Sequence, residues 1–168
     1  PEPVLLLATV HRRIGQTVQA INGDIAELHA LNQEIARSGG SADLEDRRDL
    51  ILRQLAGKID ISTFRHDDGR IAVYTSGGHA LLEQTPRVLH YAPAATIDDT
   101  APLGPIRIFM ANQVDPTSGA PLPGFAGEVL GHRDVDVIVD LRDVSEPGAG
   151  VVDLLPAGIQ VLGHSGVD

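Results

Sequence analysis

The sequence predicts an α+β fold, in which a long antiparallel helical hairpin of the coiled-coil type precedes a small, mostly antiparallel β domain. Apolar residues near the start of the chain recur with a heptad period, and a glycine-containing turn follows them. The apolar period then changes from about 3.6 residues to about 2 near residue 59. We therefore expect a helical hairpin at residues 1–58, as part of a helical bundle, and a β-rich part with proline-rich loops at residues 59–168.

The first predicted helix covers residues 4–35 and carries a continuous apolar stripe. Its two heptad core positions hold Val4, Leu7, His11, Ile14, Val18, Ile21, Ile25, Leu28, Asn32 and Ile35. All of these except the histidine and the asparagine are aliphatic. A repeat of about 3.5 residues keeps one stripe of a helix in contact with a second helix wound around it. The pattern therefore predicts that this helix packs against a partner helix.

The second predicted helix follows a Ser-Gly-Gly turn at residues 38–40, and Ser41 or Asp43 can cap its first turn. Its seam residues are Leu44, Ile51 and Leu55. A short connection of this kind joins two helices into an antiparallel hairpin. Because the second helix is the shorter one, we expect it to cover residues 18–35 of the first.

Two groups of residues are candidate contacts with neighbouring subunits. The first group is the part of the apolar stripe that the second helix does not reach, at Val4, Leu7 and Ile14. We expect either further helices of a longer protein or a neighbouring molecule to pack there. The second group is a charged cluster on the second helix, at Arg47, Arg48 and Asp49. The alternative for this cluster is a solvated helix surface or a bridge within the hairpin.

Asn32 is a polar residue at a core position of the seam. A polar side chain at such a position commonly fixes the register of two helices at a cost in stability. Replacing Asn32 by leucine is then expected to raise the thermal stability. The alternative interpretation is that Asn32 lies at a frayed helix end near Ser38, and the sequence leaves both open.

Alternating apolar and polar residues predict β-strands after the helices. Residues 59–63 and 71–75 alternate on either side of an Asp-Asp-Gly turn, which is the pattern of a β-hairpin. Further strands are expected at residues 80–82, 87–91, 106–111 and 135–139. The seven prolines between residues 86 and 123 favour edge strands and loops. The glycine-rich part from Pro147 is expected to be irregular or β.

The charge of the chain argues against nucleic acid and anionic membranes as partners. The chain has 23 acidic and 13 basic side chains, a net charge of -10, and its basic residues do not cluster. The apolar run at residues 4–10 is far shorter than the roughly 20 residues that span a bilayer, and no basic region precedes it as in a signal peptide. The lack of cysteine excludes disulfides, thiolate catalysis and most zinc sites.

One weak candidate for a metal site is present in the sequence. His132, Asp134 and Asp136 alternate along a predicted strand and offer three ligands, but an exposed acidic strand face explains the pattern equally well. Residues 148–150 lack the third glycine of a dinucleotide-binding fingerprint. The serines lie in no nucleophile-elbow motif. We therefore predict no catalytic residue, no cofactor and no metal.

Residues 18–82 contain a longer pattern in a fixed order. It comprises Ile21-Asn22, Ile25-Ala26-Glu27-Leu28, Leu31-Asn32-Gln33-Glu34-Ile35-Ala36, the Ser-Gly-Gly turn, Asp43-Leu44, Arg48-Asp49-Leu50, Leu52, Leu55, Ile59-Asp60-Ile61-Ser62, Asp68-Gly69, Val73, Gly77-Gly78 and Leu81-Leu82. This order resembles a middle fragment of the flagellar hook-associated proteins of the first type, which form the bacterial hook-filament junction. The long terminal helices through which that family polymerises are not recognisable in the sequence. The sequence departs from that family at residues 124–168, where Pro147, Gly148 and Gly150 would break a helix.

The resemblance implies a structural protein without catalytic activity and without a cofactor. Such a protein is exported through the flagellar type III apparatus without a cleaved signal peptide and lies outside the cell in the flagellum. There it forms a ring with copies of itself, between the hook protein and the second junction protein. The resemblance also implies an inner helical domain, to which the hairpin belongs, and an outer β domain that projects outward.

Two other classes of function stay open. The first is a binding module at the cell surface, in which a coiled-coil hairpin presents a β domain to a protein or carbohydrate ligand. The second is a small metal-dependent enzyme, which a bound metal ion in the purified protein would indicate.

Overall fold

The computed structural model describes residues 2–92 and 104–131, with the backbone alone for residues 2–7. Within these residues it confirms the predicted α+β fold, because two packed helices precede two small antiparallel sheets of three strands each. The strand expected at residues 135–139 and the segment from Pro147 lie outside the described residues.

The helical hairpin consists of α1 at Glu2–Ser38 and α2 at Ala42–Ala56. Between them, Gly39 and Gly40 have φ values of 77° and 86°, the left-handed conformation that glycine adopts readily. Ser41 caps α2, because its side-chain oxygen accepts a hydrogen bond of 3.3 Å from the backbone N–H three residues further on. Of the two predicted N-caps, Ser41 is therefore the one that the fold uses.

The first sheet has the strand order β1-β2-β3. Its strands are β1 at Ile61–Arg65, β2 at Ile71–Thr75 and β3 at Ala80–Leu82. The predicted hairpin joins β1 to β2. Gly69 in its turn has a φ of 88°, which explains the glycine of the Asp-Gly pair.

The second sheet has the strand order β4-β5-β6. Its strands are β4 at Arg87–Tyr91, β5 at Ile106–Met110 and β6 at Glu128–Val129. A 3-10 helix at Ala111–Gln113 follows β5. The first two of these strands were expected from the sequence, whereas β6 is only two residues long and lies where no alternating pattern marks a strand.

Both sheets pack along α1, and one hydrophobic cluster joins the helices to the sheets. The cluster includes Val18 and Ile21 of α1, Leu55 of α2, Val73 of β2 and Leu89 of β4. Fully burying an aliphatic side chain stabilises a fold by about 1.5–3 kcal/mol, so this cluster stabilises the packing of both sheets on the helices. The division into a helical domain up to residue 58 and an outer β domain stays a prediction.

Candidate functional site

The predicted helix seam is the first candidate site, and the structure places most of its residues in the protein interior. Ile14, Val18, Ile21, Ile25, Leu28, Asn32, Ile35, Ile51 and Leu55 are each at most 4% exposed. Leu44 is partly buried and packs against the same cluster. Val4 and Leu7 lie in α1, but their side chains are outside the described part of the chain. The seam thus forms an interior surface of this chain.

Three elements contact this helix. In the half next to the hairpin turn, α1 packs against α2, where Glu27 pairs with Arg47, and it also bonds to the first sheet through Asn32. Further towards the start of the chain, His11 and Asn22 bond to β4 of the second sheet. Ile14 shares the hydrophobic cluster with Leu89 and Tyr91 and is only 2% exposed. The expectation that Ile14 lies uncovered and contacts another subunit is therefore wrong. The sheet supplies the apolar surface that the short α2 does not reach.

Asn32 joins α1 to the first sheet. Its side-chain Nδ2 donates a hydrogen bond of 2.7 Å to the backbone oxygen of Ile71, and the N–H of Ile71 donates one of 3.0 Å to its Oδ1. Asn32 is 3% exposed. Both sequence interpretations, a register residue between two helices and a frayed helix end, are therefore wrong. Asn32 instead fixes the position of β2 on the helix.

Asn22 makes the same arrangement with the second sheet. Its Nδ2 donates a hydrogen bond of 2.8 Å to the backbone oxygen of Leu89, and the N–H of Leu89 donates one of 2.8 Å to its Oδ1. The heptad pattern predicts no role for Asn22, because this residue lies outside the two core positions. The available signal was the residue type, since asparagine is unfavourable in the interior of a helix.

His11 and Tyr91 form a second link between α1 and β4. The Tyr91 hydroxyl and His11 Nδ1 are hydrogen-bonded, and the two rings stack with centroids 5.7 Å apart and planes at 26°. Both residues are buried. Burial lowers the pKa of His11 and raises the pKa of Tyr91 far above its ordinary value. The pair is therefore neutral near pH 7.

The charged cluster on α2 separates into interior and exposed members. Arg48 is 2% exposed, and its Nη1 donates a hydrogen bond of 2.7 Å to the backbone oxygen of Gly69. The expectation that Arg48 contacts another subunit is therefore wrong. Arg48 instead joins α2 to the turn of the first sheet. Arg47 lies on the surface and pairs with Glu27 of α1 at 2.7 Å. Asp49 is also exposed, with 59% of its side-chain surface accessible.

Several large apolar side chains are exposed on the described surface. They are Leu50, Phe64, Met110, Leu122, Phe125 and Val129. Leu50 lies on the outer face of α2, next to Asp49, and Phe64 lies on the edge strand β1 and is 71% exposed. The other four belong to the end of β5, the loop that follows it and β6. Exposed apolar groups of this kind are common in surfaces that contact other proteins.

An open cleft of about 530 Å³ lies between the two sheets. The Tyr74 hydroxyl donates a hydrogen bond of 2.7 Å to Glu83, and this bond raises the pKa of Tyr74. Arg87 lies 3.6 Å from the same carboxylate, and His79 Nδ1 lies 3.0 Å from Glu128. These polar side chains pair with one another along the walls of the cleft, and the contact of His79 with Glu128 runs from one sheet to the other.

Among the described residues, the structure contains no group of three histidine, cysteine, aspartate or glutamate side chains that could hold a metal ion. In the same part of the chain, no helix combines the length and apolar character needed to cross a membrane. His132, Asp134 and Asp136 lie outside the described residues, as do residues 148–150. The alternatives for these positions therefore stay predictions.

Comparison with known families and solved structures identifies relatives of this fold. Residues 6–120 match the family described as the flagellar hook-associated protein FlgK helical domain. The structure is similar to that of the flagellar hook junction protein FlgK from Burkholderia pseudomallei, with a TM-score of 0.56 and 23% sequence identity. The likeness covers 73% of this chain and 22% of that one, so the chain spans less than a quarter of the solved protein. No curated protein matches the chain.

Proposed function

The chain belongs to the family of the FlgK helical domain, and on this premise we propose that it is part of a structural subunit at the hook-filament junction of the bacterial flagellum. The extent of the match carries the proposal, because residues 6–120 contain most of α1, all of α2 and the strands β1 to β5. Membership implies a structural, non-enzymatic protein located in the flagellum. The resemblance drawn from residues 18–82 is thereby confirmed.

The proposal includes assembly into a ring of identical subunits that contacts the hook protein on one side and the second junction protein on the other. It also includes export through the flagellar type III apparatus without a cleaved signal peptide. Family membership supports both, and the lack of cysteine is compatible with a fold that needs no disulfide. A closed ring requires two different, complementary surfaces on each copy, because its contacts are head-to-tail.

One of these two surfaces is the outer face of α2, with Arg47, Asp49 and Leu50. Leu50 is 48% exposed, and the side chains of Arg47 and Asp49 are 64% and 59% exposed. An apolar residue flanked by charges of both signs fits a contact with an apolar centre and a polar rim. Arg48 holds the inner side of the same helix against the first sheet, so the face is presented rigidly. Val4 and Leu7 stay proposed contacts with a neighbouring subunit.

The location is tested with the full-length protein that contains this chain. An epitope-tagged copy should be found in sheared flagellar preparations, and immunogold labelling should place it at the hook-filament junction. Its absence from purified flagella and from hook-basal bodies would contradict the proposed location.

The surface is tested by comparing two substitutions that each place an aspartate on an exposed helix position. Leu50→Asp changes the proposed contact, whereas Ala36→Asp changes an exposed position of α1 outside it. Both proteins should be exported and folded, and Leu50→Asp alone should reduce incorporation into the flagellum. Equal incorporation of the two variants would show that the outer face of α2 is not a contact in the assembly.

A further inference from the structure

We propose that Asn22 and Asn32 give helix α1 two independent locks, so that each sheet can be released from the helix while the other stays attached. The Asn32 lock is the pair of hydrogen bonds between Asn32 and Ile71, and the Asn22 lock is the pair between Asn22 and Leu89. The inference goes beyond the proposed function, because it concerns a mechanical property of the fold and holds whatever this chain assembles with.

Each asparagine takes the place of a missing strand. Its amide supplies one donor and one acceptor, as the peptide group of a neighbouring strand does. Within the first sheet, β3 pairs with Val73 and Tyr74 of β2 and does not extend to Ile71. The N–H and C=O of Ile71 bond to Asn32 on that side. Without the amide, these two buried groups would lose their partners.

The second lock closes the free edge of the other sheet. β4 is an edge strand, and Leu89 is opposite Ile108 of β5. Both backbone polar groups of Leu89 bond to Asn22. Unpaired groups on an edge strand are the positions at which a further strand can add. The Asn22 lock therefore holds the sheet on the helix and also blocks pairing of this edge with another chain.

The two locks are far enough apart to act separately. Ten residues separate the asparagines, which corresponds to about 15 Å along a helix. His11 and Tyr91 support only the second sheet. The polar contacts at the cleft between the sheets, His79 with Glu128 and Arg87 with Glu83, are solvent-accessible, and exposed contacts of this kind contribute little. Loss of one lock therefore acts first on its own sheet, as in proteins that open in separate cooperative units.

Hydrogen exchange of backbone amides tests the proposal on the 168-residue chain. Asn32→Leu should accelerate exchange of Ile71 and its β2 neighbours by about tenfold or more and leave Leu89 nearly unchanged. Asn22→Leu should accelerate exchange of Leu89 and leave Ile71 nearly unchanged. Gln33→Leu is the matched control, because it places a leucine at an exposed position of the same helix without touching either lock, and it should leave exchange of both Ile71 and Leu89 unchanged.

Two outcomes would overturn the proposal. In the first, each asparagine variant accelerates exchange in both sheets equally. In the second, exchange of Ile71 and Leu89 is unchanged. If a variant does not fold, exchange of the unmodified chain in rising urea decides the matter. Separate openings of the two sheets support the locks, and a single common opening contradicts them.

Discussion

The two halves of α1 carry the same heptad pattern but pack against different elements. In the half next to the turn, the helix packs on α2, where Glu27 pairs with Arg47, and it also bonds to β2 through Asn32. Between residues 10 and 22 it packs on the second sheet, through the contacts of His11 with Tyr91 and of Asn22 with β4. Both halves are equally buried. An apolar period thus identifies which face of a helix is buried, and the rest of the fold determines what buries it.

The largest expected effect tests whether both halves belong to the interior of one chain. Ile14→Ala in the sheet-facing half and Leu28→Ala in the helix-facing half should each lower the free energy of unfolding by about 2–5 kcal/mol. The reason is that both side chains are buried, at 2% and 1% exposure. Urea denaturation measures the change. A loss at Ile14 of less than about 0.5 kcal/mol would place it on an uncovered surface after all.

The next prediction reverses the one made from the sequence alone for Asn32. Asn32→Leu should lower the free energy of unfolding by about 1–3 kcal/mol, because it leaves buried backbone groups of Ile71 without partners. The neighbouring substitution Gln33→Leu is the control, since Gln33 is exposed and the change should stay within about 0.5 kcal/mol. A stability gain for Asn32→Leu in thermal unfolding would restore the interpretation as a helix register residue.

The contact of His11 with Tyr91 predicts a pH dependence that belongs to the sheet-facing half. Burial lowers the pKa of His11 below its ordinary value of 6.5, so the unfolded chain binds the proton more readily than the folded chain. Stability should therefore fall as the pH drops through 6.5 and should be recovered above it. Urea denaturation at a series of pH values measures this.

Two matched variants separate this contribution from that of the other titrating groups. His11→Gln should flatten the fall in stability below the ordinary histidine pKa, whereas His29→Gln, at a half-buried position of α1 outside the contact with Tyr91, should retain it. The same slope in His11→Gln and the unmodified chain would show that the buried pair does not carry the pH dependence.

The smallest expected effect concerns the helix-facing half. The exposed pair of Arg47 and Glu27 joins α2 to α1 at 2.7 Å, with 64% and 42% of the two side chains accessible. A double-mutant cycle with alanine at both positions should give a coupling energy of less than about 1 kcal/mol. The more buried pair of Lys58 and Asp24 should couple more strongly. The opposite order would contradict the expectation that burial strengthens an ion pair in this hairpin.

The local elements of this fold could be predicted from the sequence because local chemistry determines them. The heptad period, the Ser-Gly-Gly turn and the Asp-Gly hairpin each specify backbone conformation within a few residues. The strand β6 could not be predicted, because two residues carry no period. Its pairing with β5 is a long-range contact.

The tertiary roles of single residues were harder to predict, because they also depend on contacts between residues far apart in the sequence. Arg48 lies among charged neighbours in the sequence, and only the approach of Gly69 makes it an interior residue. Asn32 was recognised as unusual at its position, but its partner is 39 residues away on a strand. Asn22 lies 67 residues from Leu89. Sequence patterns mark such residues as exceptions, and only the assembled fold identifies what they bind.

The central claim is that the second sheet covers residues 10–22 of α1 within one chain. Nuclear Overhauser spectroscopy on the chain in solution tests it directly, with a mixed sample of isotope-labelled and unlabelled protein to separate contacts within a chain from contacts between chains. The account predicts intramolecular cross-peaks between the rings of His11 and Tyr91 and between the Asn22 side-chain amide and Leu89. Cross-peaks found only between chains, or water-accessible methyl groups at Ile14, would contradict it.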